Sequence, residues 1–371
     1  MPISCRYKAA RGPQFCATDC PAAVPCGVFR YVRVEKPEDV PPTEERAVDV
    51  AVLDMNHGWP NLGHDSLVHT VLDAACDLLS VLHETGLFVR VLSYDVRRSA
   101  MVPAAPARFP LYLGTGGPGH LDPRQNDGIC EGSQGLQEDP RWEAPLFSLF
   151  DDLRGAADAA LLGVCHTFGV LCRWSGIARP VLRGEQQGGK RSGVLENVLT
   201  TEGRRHPWFR RFAEDLPDRK HFRVVENRLF DLVPGREAGG TGIIARESDS
   251  LLGGNALTMI EFVRDRGGVM PRIFAVNHHP EILDRGRQRM ILDQKRERGE
   301  ISEAFYAERM DILTRSYPDE DSDQRLHVTS DFTLLAPLRF HLQRAVRTRA
   351  EDLGFSVDLH EDRLLETVGT A

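Results

Sequence analysis

Three short stretches of this chain carry residue types that do chemistry. Residues 161–169, Leu-Leu-Gly-Val-Cys-His-Thr-Phe-Gly, form an apolar run through Gly163 that presents Cys165 at the turn into a helix. Such a turn forces a nucleophile into a strained backbone, small neighbours give it clearance, and the following N–H groups face its substrate. A helix N-terminus also favours the thiolate of a group whose ordinary pKa is about 8.5. A buried packing cysteine is the bland alternative, since free cysteine is among the most buried residue types. Residues 111–119, Leu-Tyr-Leu-Gly-Thr-Gly-Gly-Pro-Gly, read as a strand ending in a glycine-rich turn. There Gly116 and Gly117 could offer unhindered backbone N–H groups to a developing oxyanion. Residues 272–281, Arg-Ile-Phe-Ala-Val-Asn-His-His-Pro-Glu, read as a third apolar strand, ending in a histidine and, two residues on, a carboxylate.

All of these groups fall at the ends of predicted strands, and in an open parallel sheet those ends meet along one edge. The elements needed to hold them there are legible. Residues 47–54 predict a strand and 66–84 a helix with apolar positions at three- and four-residue intervals. Gly86 ends that helix, and 87–93 returns as a strand. The alternation continues with a strand at 109–114, a helix near 144–157 and the strand into Cys165, which argues for a parallel sheet covered on both faces. The loop 116–141 exceeds the usual length of a connection and is expected as a lid over the site. Over 180–260, short apolar runs are separated by turn signals, including the pairs Gly188-Gly189, Gly239-Gly240 and Gly253-Gly254, and suggest an antiparallel extension. The expected organisation is an irregular Cys- and Pro-rich extension over 1–45, broken from the domain by Pro41 and Pro42, a catalytic domain over 46–283, and a helical C-terminal extension over 284–371 packing on it.

The order Gly-Gly-Pro-Gly, Gly-x-Cys, His-Pro-Glu resembles the signature of class I glutamine amidotransferase domains over roughly residues 47–283. The resemblance implies a flavodoxin-like, doubly wound, mostly parallel α/β sheet flanked by helices. It also implies Cys165 as nucleophile, His279 as general base and acid, Glu281 as the residue orienting the imidazole, and oxyanion-hole amides from Gly117 and His166. His279 is taken over His278 because the Pro-Glu pair fixes the register. Where glutaminase domains usually follow the cysteine with a Gly-His-Gln run, whose glutamine helps hold substrate, this chain has Thr167, Phe168 and Gly169.

The chain also resembles homoserine O-acyltransferases of the succinyl-transfer type, which share the sheet and the Cys-His-Glu triad. The likeness lies in the opening strand 47–56 with Trp59-Pro-Asn after it, in 193–199, in His206-Pro-Trp-Phe, in 223–231, in Tyr317-Pro-Asp-Glu-Asp and in an amphipathic helix over 332–349. The lysine that follows Pro-Asn in those enzymes is absent, with Leu62 and Gly63 in its place. Both likenesses imply covalent acyl transfer through a thioester. With a glutamine-like amide the leaving group is ammonia, passed to an acceptor or to a separate ammonia-using synthetase. With an acyl-CoA it is the CoA thiol, and a hydroxyl or amine accepts the acyl group. A non-catalytic ligand-binding scaffold is the third reading, disfavoured by the presence of all three residues.

Among weaker candidates, His57 could contact substrate from the first turn, although a lone histidine there is more often a surface or capping residue. The charged stretch 282–316 reads as a solvated helical face, with Arg285, Arg287 and Arg296 as guanidinium candidates for a substrate carboxylate and Arg285 nearest Glu281. No His-Glu-x-x-His or phosphate-binding loop occurs, so no catalytic metal and no cofactor is expected. Cys5, Cys16, Cys20 and Cys26 lack the paired spacing of a zinc knuckle, and a reduced, loosely ordered tail is expected over a metal site. Cys76 and Cys172 fall in helices as packing residues, whereas Cys130 lies in a glycine-rich loop. The 371-residue chain is 41% hydrophobic with a formal net charge of −8, enough for a sizeable core and unfavourable to nucleic acid as a partner. No run approaches the ~18 apolar residues of a membrane span. A cytoplasmic location, a small-molecule substrate and, as an assembly compatible with the sequence, a homodimer are the remaining expectations.

Overall fold

In the computed structural model, residues 27–104, 107–184, 189–235, 242–248, 255–315 and 320–359 are described. Cys5, Cys16, Cys20, Cys26, the pair Gly239-Gly240 and the pair Gly253-Gly254 lie outside them. The chain begins with β1 (Phe29–Val34) and β2 (Ala47–Asp54), then α1 (Leu62–Asp77), α2 (Leu79–Thr85), β3 (Phe88–Asp95) and the short α3 (Val96–Ser99). It continues through β4 (Leu111–Gly114), α4 (Glu143–Gly155), β5 (Ala160–Val164), α5 (His166–Ser175), β6 (Ala178–Leu182) and β7 (Arg191–Leu199). After α6 (Thr201–Arg205) and α7 (Phe209–Asp215) come β8 (His221–Arg228), β9 (Phe230–Pro234), β10 (Gly242–Glu247), β11 (Leu257–Arg264) and β12 (Pro271–Val276). Four helices close the fold: α8 (Arg285–Glu297), α9 (Glu303–Arg315), α10 (Glu320–Ser330) and α11 (Ala336–Asp352).

Ten strands form one sheet in the order β1-β3-β2-β4-β5-β12-β11-β10-β7-β8, and β6 pairs with β9 in a separate ribbon. From β1 to β12 every pairing is parallel, and from β12 to β8 every pairing is antiparallel. The period of two along the central strands explains the layering. Val50 and Val52 of β2 face α1 and α11, packing with Leu67, Val71, Leu338 and Val346, while Ala51 and Leu53 face the layer of α4 and α5, with Phe150 and Phe168. Burial on both faces is why these strands read as near-continuous apolar runs.

Residues 29–34, expected within an irregular extension, instead form a parallel edge strand, with Phe29 and Tyr31 buried in the core. The charges of Arg30 and Arg33 had masked its alternation, and both find carboxylates, in Glu44 and Asp54. The helix expected over 66–84 starts earlier, with Asn61 capping the Gly63 N–H at 2.6 Å, and breaks at Leu78 into α1 and α2. The two axes bend by 69°, and among the described residues no single helix is long and apolar enough to cross a membrane.

Candidate active site

Cys165 sits between β5 and α5 with φ 48° and ψ −98°, a left-handed φ unusual for a side-chain-bearing residue. The turn is held by a backbone bond from Cys165 N–H to the Val276 carbonyl at 2.8 Å and by a side-chain bond from the Thr167 hydroxyl to the Thr115 carbonyl at 2.8 Å. It also depends on glycines. A Cβ on Gly114 would fall 2.3 Å from Thr167 Cγ2, and one on Gly163 would fall 2.9 Å from the same atom. His166 opens α5, so its N–H is one of the first-turn donors that no helical carbonyl satisfies.

The end of β12 brings His279 and Glu281 to the same edge. His279 Nδ1 lies 2.8 Å from Glu281 Oε1, and the ring also meets the Cys165 side chain in a hydrogen bond. Burial alone would lower the imidazole's pKa, but the Glu281 carboxylate and Cys165 outweigh it and hold His279 well above its ordinary value. Glu281 rests against the first turn of α1, where a Cβ on Gly63 would stand 2.6 Å from Oε1. The positive end of that helix favours the carboxylate. His278 points away from this group. Its Nε2 lies 3.2 Å from the Thr333 hydroxyl oxygen, and burial together with the His279 charge pushes its pKa down to about 3.

The glycine-rich turn closes the floor. A Cβ on Gly116 would lie 3.0 Å from His279 Cε1 and 3.4 Å from Cys165 Cβ, and one on Gly117 would strike the Met55 carbonyl at 2.1 Å. Arg97 locks this region. It donates to the Met55 carbonyl at 2.9 Å and the Pro118 carbonyl at 2.7 Å, while Glu138 takes its remaining donors at 2.6 and 2.7 Å. Burial pushes the His166 imidazole well below its usual value, with the Arg97 charge adding to the effect, so that ring is neutral in the fold. The loop 116–141 is packed, its Gly119 N–H bonded to Gln134 Oε1 at 2.7 Å, and it forms one wall of the site.

Cys165, His166, Gly117 and His279 line one cavity of about 260 Å³. Trp59 and Asn61 flank it on one side, the paired strands β7 and β8 form another wall, and Phe305 and Arg309 of α9 border it. His57 has φ 54° and is half-buried beside the loop, outside the cavity lining, its pKa lowered by burial and by Arg97. Arg285 is exposed at the first position of α8 and does not line the cavity either, while Arg287 pairs with Asp73 and Arg296 with Glu303. Cys172 is buried and its thiol is pushed well up by desolvation, Cys76 is half-buried, and Cys130 is exposed. Among the described residues no cluster of His, Cys, Asp and Glu is arranged to hold a metal. Arg97, Lys190 and Arg309 were not singled out from sequence, because an arginine or lysine near a turn carries no pattern that separates it from a solvated charge.

The fold and its cavity define an α/β domain whose pocket opens at the carboxyl edge of the parallel strands. No family model matches the chain, and no curated protein matches it. Among solved structures it is similar to a glutamine amidotransferase from Thermotoga maritima, at 14% identity over 82% of this chain and 98% of that one, with a TM-score of 0.40. A glutamine amidotransferase from Methylobacillus flagellatus is similar at 14% identity over 85% of this chain and 98% of that one, again with a TM-score of 0.40. At such values the likeness says nothing of chemistry.

Proposed function

We propose that the protein is a cysteine-dependent acyl-transfer enzyme with Cys165 as nucleophile, His279 as general base and acid, and Glu281 orienting the imidazole. The observation that carries this reading is the placement of His279 between the Cys165 side chain and a carboxylate 2.8 Å from Nδ1, beside a cavity. Cys165 Sγ attacks the substrate carbonyl carbon, and the oxyanion is received by the backbone N–H groups of Gly117 and His166. The proton held on the ring nitrogen facing Cys165 passes to the leaving group as the carbon–heteroatom bond breaks, leaving a thioester on Cys165. An acceptor or water then attacks the thioester and returns the thiol.

The first reading of the donor is a glutamine-like amide, with ammonia as the leaving group, delivered to an acceptor or to a separate synthetase. The second reading is an acyl thioester such as acyl-CoA. A specific observation favours it: a Cβ on Gly169 would fall 2.4 Å from Leu121 Cδ1, so the position where glutaminases place a substrate-holding glutamine is filled here by a leucine from another loop. The deciding experiment records the intact mass of wild type and Cys165→Ala after incubation with glutamine, acetyl-CoA or succinyl-CoA. A Cys165-dependent adduct with glutamine alone supports the amidotransferase, an adduct with an acyl-CoA alone supports the acyltransferase, and no adduct with any of them sinks both donor assignments.

A further inference from the structure

Among the described residues, the cavity beside Cys165 is lined by more cations than carboxylates. Three long cationic side chains line it: Lys190, just before β7, Arg228 at the end of β8, and Arg309 on α9. Arg228 is already neutralised. Its Nη2 lies 3.0 Å from Glu247 Oε2, and its Nε lies 3.3 Å from Asp231 Oδ1 and 3.4 Å from Glu226 Oε2, all within a buried network that also takes in Arg183 and Arg191. Glu226, the carboxylate lining the cavity, is consumed in that same network. By contrast, among the described residues neither Lys190 nor Arg309 makes an ion pair, and the Arg309 guanidinium carbon lies 5.0 Å from the centre of the Phe305 ring.

Two like charges from separate elements therefore share one cavity, and among the described residues no carboxylate is bound to either. Their mutual influence is direct: burial lowers the Lys190 pKa and the Arg309 charge lowers it further, while Cys165 and, more weakly, Glu308 act in the opposite direction. Glu308 is exposed and does not line the cavity. Both side chains line the same cavity as Cys165. Lys190 is exposed at the cavity mouth and Arg309 is half-buried, so their repulsion is softened by water, and an anion seated between them relieves it: a guanidinium with an ammonium beside it suits a carboxylate or phosphate.

We propose that Lys190 and Arg309 form an anion subsite that receives a carboxylate or phosphate group carried by the substrate whose carbonyl reaches Cys165. This rests on Cys165 being the nucleophile, and it extends that reading to the substrate's class: a small anionic donor or acceptor. The anionic group comes either from a carboxylic acid, as in a dicarboxylic or amino acid, or from the phosphate of a nucleotide-like carrier.

The test uses the full chain and two alkylating probes that differ in charge. Iodoacetate and iodoacetamide both lose iodide to the Cys165 sulfur, and the ratio of their rates, followed by peptide mass, reads the anion preference of the cavity. A unit charge in a half-solvated cavity is worth on the order of five-fold, so the ratio should fall several-fold in K190Q or R309Q and by roughly ten-fold or more in the double variant. An unchanged ratio in a double variant that melts like wild type would overturn the subsite. If Cys165 reacts with neither probe, the nucleophile reading fails separately, and the subsite is then judged by calorimetry in the C165A background. There, binding of succinate or inorganic phosphate that disappears on adding K190Q and R309Q supports it and identifies the anion by which of the two binds. Binding of neither refutes it.

Discussion

Replacing Gly63 with alanine should damage the chemistry of Cys165 while leaving the fold in place. Gly63 lies in the first turn of α1, and ordinary helix propensity favours alanine there by about 0.5–1 kcal/mol. The added methyl would stand 2.6 Å from Glu281 Oε1, whereas ordinary contact begins near 3.4 Å, so the carboxylate must retreat by about 0.8 Å. The 2.8 Å bond to His279 Nδ1 would then stretch towards 3.6 Å, beyond a hydrogen bond. A misplacement of about 1 Å can cost about 10²-fold in rate, which is the loss expected for acyl-enzyme formation in G63A. The assay is stopped-flow or quenched mass spectrometry of Cys165 modification, with the imidazole titration of His279 followed by NMR. Losing the carboxylate contact should move that titration down towards the ordinary histidine value. Shortening the acid in G63A/E281D withdraws the oxygen from the methyl and should recover part of both. If G63A modifies Cys165 at the wild-type rate and His279 titrates unchanged, Glu281 does not orient the imidazole and the proposed triad is wrong.

Other consequences can be tested alongside. Gly117→Ala sets a methyl 2.1 Å from a backbone carbonyl, which no rotamer relieves, so it should cost roughly 1–3 kcal/mol in chemical denaturation and abolish Cys165-dependent adducts. Lys295 Nζ lies 2.9 Å from Asp65 Oδ2 in a buried pair, so K295M should destabilise by about 3–5 kcal/mol, and D65N/K295M should recover much of that in a double-mutant cycle. Burial holds His278 near pKa 3 and His341 near 4, so each is neutral in the fold and binds a proton on unfolding below the ordinary histidine value. Because the unfolded chain then binds more protons, each costs about 1.4 kcal/mol per pH unit as pH falls from about 6.5 towards those values. Urea unfolding free energies for H341N should show a slope smaller by about one proton between pH 6 and pH 4.5, and a slope equal to wild type would contradict the neutral buried ring.

The parallel half of the sheet and the convergence of Cys165, Gly117 and His279 were legible in the sequence for one reason. A strand buried on both faces reads as an apolar run, and the residue after the run falls at the sheet edge. β1 escaped notice because Arg30 and Arg33 interrupt its pattern, and their partners lie far along the chain in Glu44 and Asp54. Arg97 escaped for a similar reason: its importance comes from two carbonyls and a carboxylate that only the fold brings to it. The antiparallel turn signals over 180–260 are visible in the sequence, but not that β7 and β8, joined through α6 and α7, would line the cavity. Nearness in sequence to Glu281 favours Arg285, but at the start of α8 it is exposed and outside the cavity lining.

Strand β8 reaches the histidine directly. The Val225 carbonyl on β8 accepts the His279 N–H at 2.8 Å, the Thr329 hydroxyl on α10 donates to the Arg223 carbonyl at 2.9 Å, and the Ser330 hydroxyl donates to the Pro280 carbonyl at 2.7 Å. One set of hydrogen bonds therefore ties a wall of the pocket to the backbone of His279 and Pro280. Because the His279 N–H is held by a carbonyl of β8, its hydrogen exchange should report separation of β8 from the end of β12, and substrate analogues that tighten this contact should slow it.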